Sequence, residues 1–143
     1  MATKITHINV KDLEHHDVDL MTKYPDQNLL LLLYNNQCLG CTGRAIPFAY
    51  ELQQKHSNVK VIGIHCNFGD IATNKKDITS IFTSQTLPFP IYLDEDHSIY
   101  DSFKSEGTPQ WIILTKSGEL YRSIFGSQGN AQNRLLYALE SLN

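Results

Sequence analysis

Two predominantly apolar runs of residues stand out in the first half of the chain. They cover residues 28–34, where leucines follow one another, and residues 58–66, which are rich in valine and isoleucine. Apolar runs of this length are typical of strands that are covered on both faces, as in parallel sheets. Between them, apolar positions at helical spacing predict a helix over residues 39–55, with a kink at Pro47. The order strand, helix, strand predicts a right-handed βαβ unit.

The second half of the chain predicts a different arrangement of elements. Residues 111–115 and 120–125 predict two strands joined by a glycine-containing turn, and therefore an antiparallel hairpin. Residues 130–142 place leucines on one stripe of a closing helix. The other predicted elements are short: a strand at residues 6–10, helices at 17–24, 75–84 and 94–104, and an extended piece at 91–93. Together they predict an α/β fold with a central mixed sheet, parallel in its βαβ part and antiparallel in its ββα part, flanked by helices.

Length, composition and charge narrow the class of protein. The chain has 143 residues, of which 41% are hydrophobic, so we expect a single domain over 1–143. Within it we expect an N-terminal segment at 1–27 and a core at 28–142 that carries a helical insert at about 70–104. The net charge of -3 argues against nucleic-acid binding through bulk charge. No apolar stretch has the length of a membrane span and no signal peptide is visible, so the expected location is cytoplasmic.

Two of the three cysteines form a Cys-x-x-Cys motif between the first buried strand and the helix that follows it. In a first helical turn, Cys38 and Cys41 have Cα atoms about 5–6 Å apart, a separation that a disulfide tolerates. Free N–H groups and the helix dipole favour a thiolate at Cys38, whereas Cys41 is expected to be less exposed. We therefore predict that Cys38 attacks a disulfide and that Cys41 resolves the resulting mixed disulfide, with no cofactor.

Zinc binding is the alternative use of these cysteines, with His65 and Cys66 as the other two ligands. His65 and Cys66 are adjacent on a predicted strand, so their side chains point to opposite faces, and we expect no metal site. Cys66 is interpreted as a buried free thiol, or else as an auxiliary redox residue. His65 is interpreted as a histidine at a strand end, or else as a proton acceptor for the dithiol.

The order of these features resembles the thioredoxin superfamily. A buried strand, the Cys-x-x-Cys motif, a kinked helix and a later Gly107-Thr108-Pro109 before a strand carry the resemblance, which covers residues 28–142. Residues 89–94 and the Ser117-Gly118 turn point to its TlpA-like branch of thiol–disulfide oxidoreductases. The resemblance implies a thioredoxin-like fold, a cis peptide bond before Pro109 facing the disulfide, and a Thr108 backbone that pairs with an extended substrate. It implies as partners a protein or small-molecule disulfide and a protein that reduces or oxidises the site.

Some positions depart from the usual pattern of that family. Gln37 stands in place of tryptophan, Leu39-Gly40 in place of Gly-Pro or Pro-Pro, and Leu32 and Arg44 in place of acidic residues. A carboxylate that takes the proton of Cys41 is therefore missing from its usual places.

Two other function classes stay open. One is a thioredoxin-fold binding module with an idle disulfide. The other is a peroxidase of the peroxiredoxin group, which is disfavoured because Leu31 and Asn35 stand where that group has proline and threonine. Four further residues are candidates for the edge of a substrate groove: Tyr34, Gln37, Phe68 and Trp111. Tyr34 and Trp111 are equally well interpreted as ordinary core or rim aromatics.

Overall fold

A mixed seven-stranded β-sheet forms the centre of the computed structural model, which describes residues 4–142. The strands are β1 Asn9–Lys11, β2 Asp17–Asp19, β3 Leu29–Tyr34, β4 Lys60–Cys66, β5 Ile91–Asp94, β6 Gln110–Leu114 and β7 Leu120–Phe125. The helices are α1 Leu20–Lys23, α2 Ile46–Lys55, α3 Lys75–Thr79, α4 Ser98–Ser102 and α5 Gly129–Ser141. The strand order is β2-β1-β5-β4-β3-β6-β7. Within residues 4–142, no helix is both long enough and apolar enough to cross a membrane.

Strand directions follow the predicted division of the sheet. Strands β3, β4 and β5 run parallel to one another, while β6 is antiparallel to β3 and β7 is antiparallel to β6. The predicted α/β fold with a mixed sheet is therefore confirmed. The carboxyl ends of β3 and β4 meet at the same edge of the sheet, where an open α/β sheet places its chemistry.

The two faces of β3 are both buried, which explains its unbroken apolar run. Leu30, Leu32 and Tyr34 lie in a core shared with α2 and α5. Leu29 and its alternate neighbours lie in the core on the opposite face, which also contains residues of β4 and α1. Because side chains alternate along a strand, any residue of β3 or β4 is assigned to one face by its position.

The helix after β3 begins with a wide turn. Residues Cys41–Ala45 form a π-helical turn, and α2 follows with Pro47 as its second residue. Proline has no N–H to donate, so its position near the start of a helix leaves no donor unpaired. The helix is therefore irregular near Pro47, as predicted, but the irregularity is the π-helical turn that precedes α2.

The segment between β4 and β6 is not wholly helical. The short piece predicted at residues 91–93 is strand β5, which pairs with β4 on one side and with β1 on the other. All four residues of β5 are buried, and their pairing inside the sheet is a tertiary feature that so short a run does not reveal. The predicted helix at 17–24 is divided between β2 and α1, and that at 75–84 stops with α3.

Candidate active site

Cys38 lies between the end of β3 and the wide helical turn, and its sulfur is held by backbone groups. The Cys41 N–H donates to the Cys38 carbonyl at 3.1 Å and lies 3.2 Å from the Cys38 Sγ. The Cys38 thiol donates to the Thr108 carbonyl oxygen at 3.3 Å. Cys38 is partly exposed whereas Cys41 is fully buried, and neither is bridged. The arrangement leaves one accessible sulfur and one sheltered sulfur within a single turn.

The two thiols of the motif have pKa values displaced in opposite directions. Partial burial raises the pKa of Cys38, but hydrogen bonds from the side chains of Cys41 and Thr108 and from the backbone N–H groups of Cys41 and Gly40 outweigh burial, and the pKa lies below its ordinary value. Burial, followed by the hydrogen bond with Cys38, raises the pKa of Cys41 to about 12. Since the thiolate is the reactive form, Cys38 is the better nucleophile of the pair.

The loop that precedes β6 packs beside Cys38. The Thr108–Pro109 peptide bond is cis, and the Pro109 carbonyl accepts the Gly126 N–H at 2.9 Å. The indole N–H of Trp111 donates to the Gly126 carbonyl at 2.8 Å. The loop that precedes β6 and the loop that follows β7 are thereby tied to each other beside the dithiol.

The two residues between the cysteines have opposite environments. Leu39 is 85% exposed. A β-carbon placed on Gly40 lies only 2.9 Å from the Ser127 Oγ and 3.9 Å from the Pro109 Cδ. Glycine at position 40 therefore lets the loop around Ser127 approach the motif closely, a contact for which the sequence contains no local signal.

Cys66 is not brought to the dithiol. It is fully buried and lies in the core on the opposite face of the sheet from Cys41. Burial, followed by the nearby Asp94, raises the pKa of Cys66 well above its ordinary range. This environment is that of an inert buried thiol and not of an auxiliary nucleophile. It also separates Cys66 from the other ligands of the zinc alternative, and within residues 4–142 no cluster of His, Cys, Asp and Glu is arranged to hold a metal ion.

His65 is on the same face as the dithiol but is poorly suited to accept a proton. Its side chain is only 5% exposed, and its Nε2 accepts the Asn36 N–H at 3.2 Å. Burial lowers the pKa of His65 to about 4. The imidazole is therefore neutral at physiological pH, and its free lone pair is already engaged.

The aromatic and polar residues considered as edges of a groove divide into two groups. Tyr34 and Trp111 are fully buried core residues, whereas Gln37 and Phe68 are exposed at the surface. Gln37, Phe68 and His65 contribute to a cleft of about 600 Å³ on the β4 side of Cys38. The exposed Ile71 also lines this cleft.

Comparisons with known proteins agree with this geometry. The AhpC/TSA family model matches residues 1–125. The thioredoxin-like protein SkfH of Bacillus subtilis is 25% identical over 104 residues, which cover 73% of this chain and 72% of SkfH. The thiol-disulfide oxidoreductase YkuV of the same organism is 24% identical over 101 residues, which cover 70% of this chain and 68% of YkuV.

A solved structure extends the likeness to the whole fold. The exposed lipoprotein thioredoxin Etrx1 of Streptococcus pneumoniae superposes with a TM-score of 0.74 at 14% identity, covering 96% of this chain and 100% of that protein. At that identity the superposition shows the fold alone. The family model, by contrast, spans most of the sequence. The chain therefore belongs to the AhpC/TSA family, within the thioredoxin superfamily.

Proposed function

We propose that this chain is a thiol–disulfide oxidoreductase in which Cys38 is the nucleophile and Cys41 the resolving cysteine. The observation that carries the proposal is the opposite displacement of the two thiol pKa values within one turn, downward at the accessible Cys38 and upward at the buried Cys41. The relatives SkfH and YkuV, which are named as thioredoxin-like and as a thiol-disulfide oxidoreductase, support the same activity.

The reaction follows from the order in which the two sulfurs become thiolates. In the reducing direction, the Cys38 thiolate attacks one sulfur of a substrate disulfide, the substrate S–S bond breaks, and the released thiolate takes up a proton. Cys41 then loses its proton and attacks the Cys38 sulfur, which releases the second substrate thiol and leaves a Cys38–Cys41 disulfide. Two electrons pass from the dithiol to the substrate, and an external thiol reductant restores the dithiol. The reverse sequence oxidises a substrate dithiol.

The surface around Cys38 supports a polypeptide or small disulfide as substrate. The Thr108 carbonyl is 3.3 Å from the Cys38 sulfur, so a substrate joined to Cys38 must lie along the Thr108–Pro109 segment, and the backbone of Thr108 is available for strand-like pairing. The cleft of about 600 Å³ beside Gln37 offers room for residues next to the substrate cysteine. We also propose that the chain falls in the TlpA-like branch, on the sequence of residues 89–94 and the Ser117-Gly118 turn.

The peroxidase alternative is not favoured by the site. Leu31 stands where a peroxiredoxin has proline and lies in the core on the other face of the sheet. Asn35 stands where the threonine is expected, and its side chain is turned to the backbone, donating to the Cys66 carbonyl at 2.8 Å and accepting the Gln37 N–H. No hydroxyl from these two positions is therefore available to a peroxide at Cys38.

The expected cytoplasmic location is not supported by the comparisons. The superposed Etrx1 is an exposed lipoprotein, and another structural neighbour is a secreted Mycobacterium tuberculosis disulfide oxidoreductase.

Trapping of a mixed disulfide tests the proposed function. The full chain and three variants, Cys38→Ser, Cys41→Ser and Cys66→Ser, are reduced, mixed with bis(2-hydroxyethyl) disulfide, quenched in acid and weighed by mass spectrometry. We expect the wild type and Cys66→Ser to form the internal disulfide, and Cys41→Ser to accumulate one adduct at Cys38. Absence of an adduct in Cys41→Ser, or formation of an equal adduct in Cys38→Ser, contradicts the proposal. An inert wild type supports the binding-module alternative.

A further inference from the structure

The cleft on the β4 side of the dithiol begins at the residue that precedes Cys38. Its volume is about 600 Å³. One wall is the loop that leads from β3 to Cys38, residues 35–37, and the other wall is the loop that follows β4, residues 67–73. Because Gln37 belongs to the first wall, a polypeptide joined to the Cys38 sulfur has this cleft directly beside it.

Hydrogen bonds from side chains to the backbone hold both walls in place. In the first wall, the Asn36 side chain donates to the Asp77 carbonyl of α3 at 2.8 Å. In the second wall, the Asn67 side chain accepts the Gly69 N–H and donates to the Ile71 carbonyl, both at 2.9 Å. The cleft is therefore formed before a substrate arrives, and a group that enters it pays little for ordering the walls.

Two large apolar residues of the second wall are exposed. Ile71 is 86% exposed and Phe68 is 48% exposed, and the Phe68 ring packs edge to face on Tyr100 of α4, with centroids 4.9 Å apart. A single exposed apolar side chain is common on a protein surface and needs no explanation. These two differ because one hydrogen-bonded loop holds both of them at a cleft beside the nucleophile. They offer apolar surface to a side chain of a bound polypeptide.

The charges in the cleft are negative. Asp70 and Asp77 line it, and none of the described residues in the lining is lysine or arginine. His65 adds no positive charge at neutral pH, because burial lowers its pKa to about 4. Lys75 of α3 is paired with Glu14 at 2.9 Å. The lining therefore repels a carboxylate and accepts a neutral side chain, most strongly at low ionic strength.

We propose that this cleft binds a residue beside the substrate cysteine and selects polypeptides that carry an apolar side chain there over those that carry an acidic one. The inference rests on the proposed function and assigns Phe68 and Ile71 as specificity-determining residues. In the selected step the Cys38 thiolate forms a bond to one sulfur of a peptide disulfide, the peptide S–S bond breaks, and the departing peptide thiolate takes up a proton.

Adduct formation with matched peptide disulfides tests the inference. The probes are the disulfide-linked homodimers of three blocked tripeptides, Leu-Cys-Leu, Gly-Cys-Gly and Glu-Cys-Glu, and bis(2-hydroxyethyl) disulfide is the small probe. Each probe is mixed below saturation and at low salt with the reduced full chain carrying Cys41→Ser, and the Cys38 adduct is followed by mass. Ile71→Ser and Ile71→Leu are added to this parent. Tyr137→Ser is the control, because Tyr137 is 75% exposed and lines a separate pocket between α5 and β7.

The expected result is a preference that depends on Ile71. In the parent, the leucine peptide reacts about ten-fold faster than the glycine peptide, the factor that about 1.4 kcal/mol from partial burial of one leucine side chain produces. The glutamate peptide reacts more slowly than the glycine peptide. Ile71→Ser lowers the preference for leucine about three-fold or more, whereas Ile71→Leu and Tyr137→Ser keep it. All variants react with bis(2-hydroxyethyl) disulfide at the parent's rate and keep its midpoint of urea unfolding.

Several outcomes overturn the inference. They are equal rates with the leucine and glycine peptides, a glutamate peptide that reacts at least as fast as the glycine peptide, and a leucine preference that Ile71→Ser leaves unchanged. An equal fall with every disulfide in Ile71→Ser shows a general structural effect and also overturns it. Failure of the proposed function is distinguishable from all of these, since the parent then forms no adduct even with bis(2-hydroxyethyl) disulfide.

Discussion

Replacement of Gly40 by alanine is expected to destabilise the protein relative to the same replacement at Gly43, although both glycines lie in the first turns of one helix. Gly40 has helical dihedral angles, φ −65° and ψ −28°, so alanine is compatible with its backbone. A β-carbon at Gly40 lies 2.9 Å from the Ser127 Oγ, whereas one at Gly43 has nothing within 4 Å. The two substitutions therefore differ in packing and not in backbone preference.

The magnitudes follow from these distances. At Gly43, alanine gains the helix preference of about 0.5–1 kcal/mol with no contact against it. At Gly40 the same gain is offset by overpacking, which costs about 1–3 kcal/mol in a filled interior, because Ser127 is buried. We expect the free energies of unfolding of Gly40→Ala and Gly43→Ala to differ by about 1–3 kcal/mol.

Urea unfolding of the reduced proteins, followed by tryptophan fluorescence and circular dichroism, measures this difference. A third variant, Ser127→Ala, removes the hydroxyl that the new β-carbon meets. In that background Gly40→Ala is expected to recover about 1 kcal/mol or more, as a double-mutant cycle. Equal stabilities of Gly40→Ala and Gly43→Ala, or no coupling to Ser127, would refute the packing argument.

Three further predictions use the same site. Limiting iodoacetamide at neutral pH should label Cys38 first, because hydrogen bonding lowers the pKa of Cys38 while burial raises the pKa of Cys41 to about 12. Peptide mapping that finds Cys41 or Cys66 labelled first would contradict this prediction. Burial lowers the pKa of His65 from 6.5 to about 4, so between these values only the unfolded chain binds the proton. Stability should fall by about 3 kcal/mol as the pH drops from 6.5 to 4; urea titrations should show a flatter profile in His65→Gln. Leu39→Ser should change the free energy of unfolding by no more than about 0.5 kcal/mol, since Leu39 is 85% exposed. The same variant should reduce a protein disulfide several-fold more slowly than the wild type and reduce bis(2-hydroxyethyl) disulfide at the wild-type rate. Wild-type rates with both substrates would show that Leu39 does not contact the substrate.

The local pattern of the chain determined the elements that are long or strongly punctuated. The leucine run predicted β3, the glycine turn predicted the β6–β7 hairpin, and the leucine stripe predicted α5. These features depend on neighbours in sequence, through side-chain periodicity and turn preference, and are therefore visible before folding. The Cys-x-x-Cys motif belongs to the same class, because its spacing and its place after β3 already define a pair of thiols in one helical turn.

Only the tertiary structure decided how distant segments share the site. Alternation along β4 separated His65 from Cys66, but the packing of α2 and α5 decided which of the two faces held the dithiol. Three other features likewise depend on contacts between segments far apart in the chain. They are the position of β5 inside the sheet, the close packing of Gly40 against Ser127 and the burial of the Tyr34 hydroxyl without a hydrogen-bond partner. Such contacts arise from the joint packing of whole elements, so no local pattern of residues encodes them.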